Sequence, residues 1–286
     1  MKIFNSSLVQ SLNCSFLKHQ QIDILRDDLI HPTVSGNKWR KLKYIVQHIL
    51  DNKIEHVVTF GGAYSNHLVA VAFVCNYLGI KSTAFVRGNE IRNQNHYEKL
   101  CVENNMQLLH VSREDYRDKH KLYNMHFSQF ENSVMLDEGG NHPLALKGCE
   151  EIFDELQNKY NYIVLSLGTG TTMEGLVKGV NDRKLKTKII GISALKNNFE
   201  LDGRLAKYPK NTWEVLHQYH RGKYGKIDNG LLSFIAAFYF ETNIKIEPIY
   251  TAKMLLAVKD LIETNFFKPT DKILVIHTGG LLAFPQ

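Results

Sequence analysis

The sequence is poor in the residues that build disulfide scaffolds and zinc sites. Its 286 residues include only four cysteines, which stand far apart with no CxxC pair: Cys14, Cys75, Cys101 and Cys149. This spacing argues against a zinc site and against a secreted disulfide framework, so no metal is expected and a reducing cytosol suits the chain. The sequence also lacks an apolar run of membrane-spanning length and the pattern of a signal peptide. We therefore expect a cytoplasmic protein without a membrane partner.

The chain contains neither a basic tract nor a linker of biased composition. A formal net charge of +6 favours anionic ligands, but the basic residues are interspersed with acids along most of the sequence. Nucleic-acid binding is therefore not expected. There are six prolines, and no Pro-rich or Ser-rich stretch marks a domain boundary. With 44% apolar and 22% charged residues, the composition is that of a globular protein with one large or two smaller domains.

Strand-like and helix-like segments alternate along the chain. Short apolar runs are typical of buried strands at residues 54–60, 83–86, 107–111, 134–136, 162–167, 188–193 and 273–276. Helical patterns separate most of these runs, which predicts an α/β protein with parallel sheets flanked by helices. Residues 196–230 show little periodicity and predict a long irregular excursion lying over a site.

A lysine stands at the start of the first predicted helix. Lys38 precedes apolar residues at helical spacing, and Ser35 or Asn37 can cap this helix. The positive end of the helix dipole and the neighbouring cations disfavour the ammonium form of Lys38, which makes a neutral, nucleophilic amine easier to obtain. A Schiff-base lysine needs this property. The alternative is that Lys38 and the basic residues after it form a solvated face.

A turn rich in glycine and threonine follows the predicted strand 162–167. Its residues are Gly168, Thr169, Gly170, Thr171 and Thr172. Because the turn also opens a helix, its amides and hydroxyls can hold a phosphate with help from the helix dipole. It is not a Walker A loop, since no Gly-Lys-Ser/Thr follows. A tight turn without a ligand is the alternative.

A second strand-to-helix turn ends in Ser65, Asn66 and His67. Ser65 and Asn66 can simply cap the helix that follows. The functional interpretation is a carboxylate site, in which helix amides bind the anion and Ser65 faces the reacting carbon. His67 is better explained as a site-lining residue than as a metal ligand, because no second ligand stands at a metal-binding spacing.

Five ordered motifs are spread over most of the chain: SGNKWRKL, GGAYSNH, SLGTGTTMEGL, EPIYTAK and HTGG. They resemble those of the 1-aminocyclopropane-1-carboxylate deaminase/D-cysteine desulfhydrase family, whose members use pyridoxal phosphate and have the two-domain tryptophan-synthase-β-like fold (fold type II). The resemblance implies a homodimer that acts on a small amino acid. We expect residues 1–50 and 139–286 to form a large cofactor-binding domain and 51–138 a small inserted domain, with the site in the cleft between them.

The resemblance also implies how the cofactor is held. Lys38 would bind pyridoxal phosphate covalently, and Asn66 would pack against the pyridine ring. The turn from Gly168 to Thr172 would hold the phosphate, while Thr251 falls where the family contacts the pyridine nitrogen.

Substrate binding and catalysis are implied at further positions. Ser65, Asn66 and His67 would receive the substrate carboxylate. Tyr250 and Tyr224 correspond to tyrosines of the site, and the α proton would be taken by the lysine or by Ser65 assisted by Tyr250.

Two positions help to choose within the family. In the deaminases of the family that this chain resembles, a glutamate stands where this chain has Thr251, and a glutamine stands where it has His67. A carboxylate keeps the pyridine nitrogen protonated, which opening a cyclopropane ring demands, whereas a hydroxyl suffices for expelling a thiol. We therefore expect conversion of D-cysteine to pyruvate, hydrogen sulfide and ammonia. The alternatives are a 1-aminocyclopropane-1-carboxylate deaminase that forms 2-oxobutyrate and ammonia, and a non-catalytic phosphate- or nucleotide-binding module.

Overall fold

The computed structural model describes residues 3–18, 20–34, 36–89, 94–195, 199–222 and 225–283. Within these residues the strands are β1 (Val9–Ser11), β2 (Gln21–Leu25), β3 (His56–Gly62), β4 (Lys81–Arg87), β5 (Met106–Val111), β6 (Ser133–Leu136), β7 (Tyr162–Leu167), β8 (Lys188–Ser193), β9 (Trp213–Leu216) and β10 (Lys272–Ile276). The helices are α1 (Asn37–Asp51), α2 (Asn66–Leu78), α3 (His96–Glu103), α4 (Lys119–Phe127), α5 (Pro143–Glu150), α6 (Ile152–Glu155), α7 (Thr171–Asp182), α8 (Glu200–Leu205), α9 (Asn229–Thr242) and α10 (Thr251–Glu263).

The strands form two sheets. The larger sheet has the order β1-β2-β10-β7-β8-β9, in which β1 runs antiparallel to β2 and every other pair is parallel. The smaller sheet has the order β5-β4-β3-β6 and is parallel throughout. The predicted α/β fold with parallel sheets is confirmed.

The chain forms two compact units, which we call the first and second unit. The first comprises Met1–Asn37 and Cys149–Gln286, and the second comprises Lys38–Gly148. The first contains the six-stranded sheet and the second the four-stranded sheet. The second unit is wider than the range 51–138 expected from the sequence, because α1 contacts the segment after β6: Lys41 Nζ donates to Gly139 O at 3.0 Å.

Both faces of the six-stranded sheet are covered by helices. On β10, Ile273 and Val275 pack in one apolar cluster with side chains of α10, while Leu274 and Ile276 pack in another with side chains of α7. Strands buried on both faces are apolar at successive positions, not alternately apolar and polar. This explains why β7, β8 and β10 are recognisable as continuous apolar runs.

The prediction for residues 196–230 was wrong. The described part of this region contains α8 and β9, and β9 extends the larger sheet by parallel pairing of Trp213 with Ile189. Because β9 is only four residues long, its apolar pattern is too short to distinguish from a loop. Helix α9, which begins at the end of this region, was also not predicted.

Within the described ranges, no helix has the length and apolar character needed to cross a membrane. All four cysteines are free thiols, and three of them are buried. The cytoplasmic location stays a prediction.

Candidate active site

The residues selected from the sequence are divided between the two units. The first unit contains Gly168, Thr169, Gly170, Thr171, Thr172, Tyr250 and Thr251, and the second contains Lys38, Ser65, Asn66 and His67. Tyr224 lies outside the described residues, as does the predicted cap Ser35. Each set is described within its own unit.

The turn between β7 and α7 has the geometry of an anion site. Gly170 is the N-cap of α7 and has φ +81°, and as a glycine it has no side chain with which to cap the helix. Residues with a side chain rarely adopt this φ, and a Cβ here would also displace the ends of the Leu201 and Arg204 side chains, which lie 2.6 Å and 2.9 Å from its position. The first N–H groups of a helix have no acceptor within the helix, and the dipole favours an anion beside them.

Two buried hydroxyls lie in the first turn of α7. Thr171 is fully buried and Thr172 nearly so, and Thr169 Oγ1 lies 3.3 Å from Thr171 Oγ1. Asn37 Nδ2 donates to Thr172 Oγ1 at 3.1 Å. Since Asn37 is covalently joined to Lys38, this bond ties the residue before the candidate lysine to the candidate phosphate turn.

A positively charged side chain from another helix contacts this turn. Arg204 on α8 donates from Nη2 to the carbonyl oxygen of Thr169, and its Nε lies 3.5 Å from the carboxylate of Glu174. Sequence reasoning missed Arg204, because α8 falls in the region expected to be irregular. Asn37 was considered only as a helix cap.

Tyr250 lies against the same turn. A Cβ built on Gly168 would be 3.6 Å from both Cε1 and the hydroxyl oxygen of Tyr250. Tyr250 is the residue that precedes α10, so the start of this helix and the turn before α7 are neighbours. The structure therefore brings together two of the predicted positions that are far apart in sequence.

Thr251 opens α10 with a buried hydroxyl. Its Oγ1 makes no hydrogen bond of good geometry with the described residues, but the side chain lies close enough to Glu247 to lower the pKa of that carboxyl. The backbone N–H of Thr251 donates to the carboxylate of Glu247, which is also buried. A buried polar atom without a well-formed hydrogen bond is unfavourable unless a ligand completes it, so Thr251 is a candidate ligand contact.

Gly36 and Asn37, from the first of the five motifs, contact Thr278 of HTGG within the first unit. Gly36 has φ +64°, and a Cβ there would lie 1.9 Å from Thr278 O. The backbone N–H of Asn37 donates to the same oxygen at 3.2 Å. Gly36 is thus required for close backbone approach, and HTGG supports the chain just before Lys38.

The start of α2 in the second unit is capped as expected. Ser65 Oγ accepts a hydrogen bond from the N–H of Leu68 at 3.3 Å. The capping interpretation of Ser65 is confirmed. It leaves the functional interpretation open, because a hydroxyl that accepts from a backbone N–H still has a proton to donate. Asn66 is the first residue of α2 and is partly buried.

His67 is buried and has a defined tautomer. Its Nε2 lies 2.8 Å from Thr59 Oγ1, and that hydroxyl donates to Leu136 O at 2.8 Å. Thr59 therefore accepts from the ring, which places the proton on Nε2 and leaves Nδ1 as an acceptor. Burial, followed by the charges of Lys38, Lys41 and Lys119, holds the pKa of His67 well below its usual range.

This environment brings Lys38 and His67 into one electrostatic cluster. Lys38 is the first of the three cations that lower the pKa of the His67 ring. A neutral imidazole whose Nε2–H is already donated cannot also donate that proton to a carboxylate. The predicted role of His67 in carboxylate binding stays a prediction, and in this tautomer the donors of such a site are the cations and the start of α2.

The comparisons with known proteins agree with these features. A family model described as "Pyridoxal-phosphate dependent enzyme" matches residues 2–279. A putative 1-aminocyclopropane-1-carboxylate deaminase of Thermotoga maritima is 27% identical and covers 91% of this chain and 88% of its own. The mitochondrial bifunctional D-cysteine desulfhydrase/1-aminocyclopropane-1-carboxylate deaminase of Arabidopsis thaliana is 27% identical and covers 91% and 72%. A crystal structure of an ACC deaminase homologue superposes with a TM-score of 0.84 at 24% identity and covers 98% and 90%. The fold class expected from the five motifs is confirmed.

The residues present fit the cofactor of that family. The start of α7, which has Gly170 as its N-cap, suits a phosphate, and the buried Thr251 hydroxyl suits a ring nitrogen. Lys38 supplies the amine that a covalent link requires.

Proposed function

Because this chain belongs to the family of pyridoxal-phosphate dependent enzymes, we propose that it cleaves D-cysteine, with water, to pyruvate, hydrogen sulfide and ammonia. The observation that carries this choice is that a fully buried hydroxyl, that of Thr251, stands at the start of α10 and makes no hydrogen bond of good geometry with the described residues. A hydroxyl can hydrogen-bond an unprotonated pyridine nitrogen and leaves the ring a moderate electron sink. Expelling a thiol from Cβ needs no deeper sink.

The hydrogen bonds of Glu247, a buried acid that precedes Thr251 in the sequence, support this choice. Glu247 accepts backbone N–H groups of the α10 start, at 2.7 Å from Ile249 and 2.9 Å from Tyr250, besides that of Thr251. Its oxygens are therefore engaged by the backbone, and a hydroxyl is the group left for a ligand at this helix start.

Ring opening of 1-aminocyclopropane-1-carboxylate is the second candidate. It is favoured by the names of the relatives, since most of those matched are called deaminases of this compound and the plant relative is called bifunctional. The non-catalytic binding module is no longer supported, since the family match covers nearly the whole chain.

We assign the first-unit residues to holding the cofactor. The amides and hydroxyls from Gly168 to Thr172 would bind the phosphate at the start of α7. Arg204 adds positive charge beside this turn, although Glu174 offsets part of it. Asn66 of the second unit would pack against the ring.

Proton transfer is assigned to three side chains. The bound cofactor supplies an electron sink that stabilises negative charge at the substrate's α carbon. Lys38 Nζ, or Ser65 Oγ with help from the Tyr250 phenol, would take the α proton. General acid–base help of this kind contributes about 10²–10⁴-fold. Tyr224 stays a prediction as a further catalytic tyrosine.

The substrate carboxylate is assigned to the start of α2. Ser65 and Asn66 lie there, where backbone N–H groups and the helix dipole favour an anion. Neutral His67 would line this site, and its Nδ1 offers an acceptor for an ammonium or hydroxyl group.

A substrate panel tests the proposed reaction. Hydrogen sulfide released from D- and L-cysteine and 2-oxobutyrate formed from 1-aminocyclopropane-1-carboxylate are measured side by side in the steady state. We expect kcat/KM for D-cysteine to exceed that for the cyclopropane substrate by at least tenfold, because Thr251 stabilises an unprotonated ring. Thr251→Ser keeps the hydroxyl and should keep this ratio of the two kcat/KM values. Efficient ring opening without sulfide from either enantiomer would instead select the deaminase.

We further propose that the protein is a homodimer, supported by the surface of α9. On this helix Leu232, Tyr239 and Phe240 are exposed by 49%, 44% and 90%, and there is no charged residue from Asn229 to Phe240. A two-fold interface brings a patch against its own copy.

The dimer is checked with Phe240→Glu. Multi-angle light scattering should find the wild type at the mass of two 32.9 kDa chains and the variant at the mass of one, because a buried unpaired charge opposes association. Met125→Glu alters another exposed apolar side chain, on α4, and should leave the mass unchanged. A monomeric wild type, or a dimer that survives Phe240→Glu, would contradict this interface.

A further inference from the structure

Glu247 is a buried carboxylate to which neither the motifs nor the proposed mechanism assigns a role. Glu247 is 1% exposed to solvent. One oxygen accepts the N–H of Ile249 at 2.7 Å, the other accepts the N–H of Tyr250 at 2.9 Å and that of Thr251. Burial raises the pKa of this carboxyl, while the backbone hydrogen bonds and the side chain of Thr251 act in the opposite direction.

Its environment differs from that of the other acidic caps. Asp118 caps α4 and Asp228 caps α9, each by accepting one backbone N–H near the surface. Glu247 accepts three N–H groups in the protein interior. Burying a carboxylate is unfavourable unless it is fully hydrogen-bonded, so capping alone is achieved at lower cost by an exposed aspartate.

The N–H groups that Glu247 fixes belong to two candidate site residues. Tyr250 lies against Gly168, and Thr251 has a buried hydroxyl. The carboxylate therefore holds the backbone from which both side chains project.

A buried cation accompanies this carboxylate. Lys253 is 1% exposed, and its Nζ donates to His220 O at 3.3 Å. The negative charge of Glu247 stabilises the ammonium form of Lys253, which burial disfavours. The negative charge of Glu247 is thus compensated by backbone N–H groups and by the nearby positive charge of Lys253.

We propose that Glu247 is a positioning residue, which holds the backbone of Tyr250 and Thr251 so that the Thr251 hydroxyl is presented to the pyridine ring. This inference rests on the proposed role of Thr251 in the pyridoxal-phosphate site. It requires no proton transfer by Glu247 itself.

The test compares Glu247→Ala and Glu247→Gln with wild-type holoenzyme. Cofactor dissociation constants are measured by ultrafiltration, and the visible circular dichroism of the bound cofactor reports its orientation. For Glu247→Ala we expect at least tenfold weaker binding and a changed dichroic band at full occupancy. Glu247→Gln keeps one acceptor oxygen and should fall between wild type and alanine. Asp118→Ala removes an acidic cap outside this cluster and should lower the unfolding temperature without changing either cofactor readout.

Two outcomes would overturn the positioning role. One is cofactor affinity and dichroism in Glu247→Gln and Glu247→Ala that equal those of the wild type. The other is equal cofactor effects in Asp118→Ala, which would show a general loss of stability. If Glu247→Ala does not fold, Glu247→Gln alone decides, since wild-type readouts in that variant contradict the proposal. Because neither readout uses turnover, failure to cleave D-cysteine would contradict the proposed function and leave this result interpretable.

Discussion

Lys38→Ala should lose covalent attachment of the cofactor and lower turnover by at least about 10²–10⁴-fold, the range for removing a positioned acid–base group. The expected loss is large because one side chain is assigned both the covalent link and proton transfer at its Nζ. Lys38 stands at the start of α1, directly after Asn37, whose side chain bonds to the phosphate turn at Thr172. Borohydride reduction of the wild type followed by peptide mass mapping should therefore place the pyridoxyl group on Lys38.

The matched control for this variant is Lys43→Ala. Lys43 is an exposed lysine of the same helix whose ammonium lies over the ring of Tyr44. Its removal changes the same charge and should leave the cofactor link and turnover within about twofold. A pyridoxyl group found on Lys41 or Lys43, or an active Lys38→Ala variant, would remove the basis of the proposed mechanism.

Much of the fold could be predicted, because the central elements have strong local signals. The bounds of β7 and β8 agree with the patterns read at 162–167 and 188–193. These strands are buried on both faces, so they are continuous apolar runs, and α2 has a serine cap at its start and Gly79 after its end. By contrast, β9 is only four residues long and joins the sheet through pairing with β8, which no local pattern encodes.

The candidate site could be predicted where its functional groups stand next to one another in a single turn. The turn at 168–172 and the cap at Ser65 have recognisable patterns of glycine, hydroxyl and helix start. The contacts between residues distant in sequence have no such pattern, as the hydrogen bond from Asn37 to Thr172 shows. Glu247 had a usable signal, an acid before the proline of EPIYTAK at a helix start, but its burial and its three N–H donors depend on tertiary structure.

Thr172→Asp should weaken cofactor binding by roughly a hundredfold relative to Thr172→Asn. Thr172 lies in the first turn of α7, and its hydroxyl accepts from Asn37 Nδ2 at 3.1 Å. Both replacements retain an oxygen that accepts this bond and have nearly equal size, so their difference isolates one negative charge. Like charges about 5 Å apart repel by about 3 kcal/mol near a protein surface, which corresponds to that factor in the dissociation constant.

The same charge should affect the stability of the cofactor-free protein much less than it affects cofactor binding. An acid in the first turn of a helix interacts favourably with the helix dipole by about 0.3–1 kcal/mol, an effect that partly offsets the desolvation of the new carboxylate. We therefore expect cofactor affinity, measured by ultrafiltration, to fall much more than the unfolding temperature of the cofactor-free protein. Equal cofactor affinities for the Asp and Asn variants would show that the phosphate is not bound at the start of α7. Where these equal affinities both lie below that of the wild type, the shared loss would come from changed packing around Thr172, since only the negative charge distinguishes the two side chains.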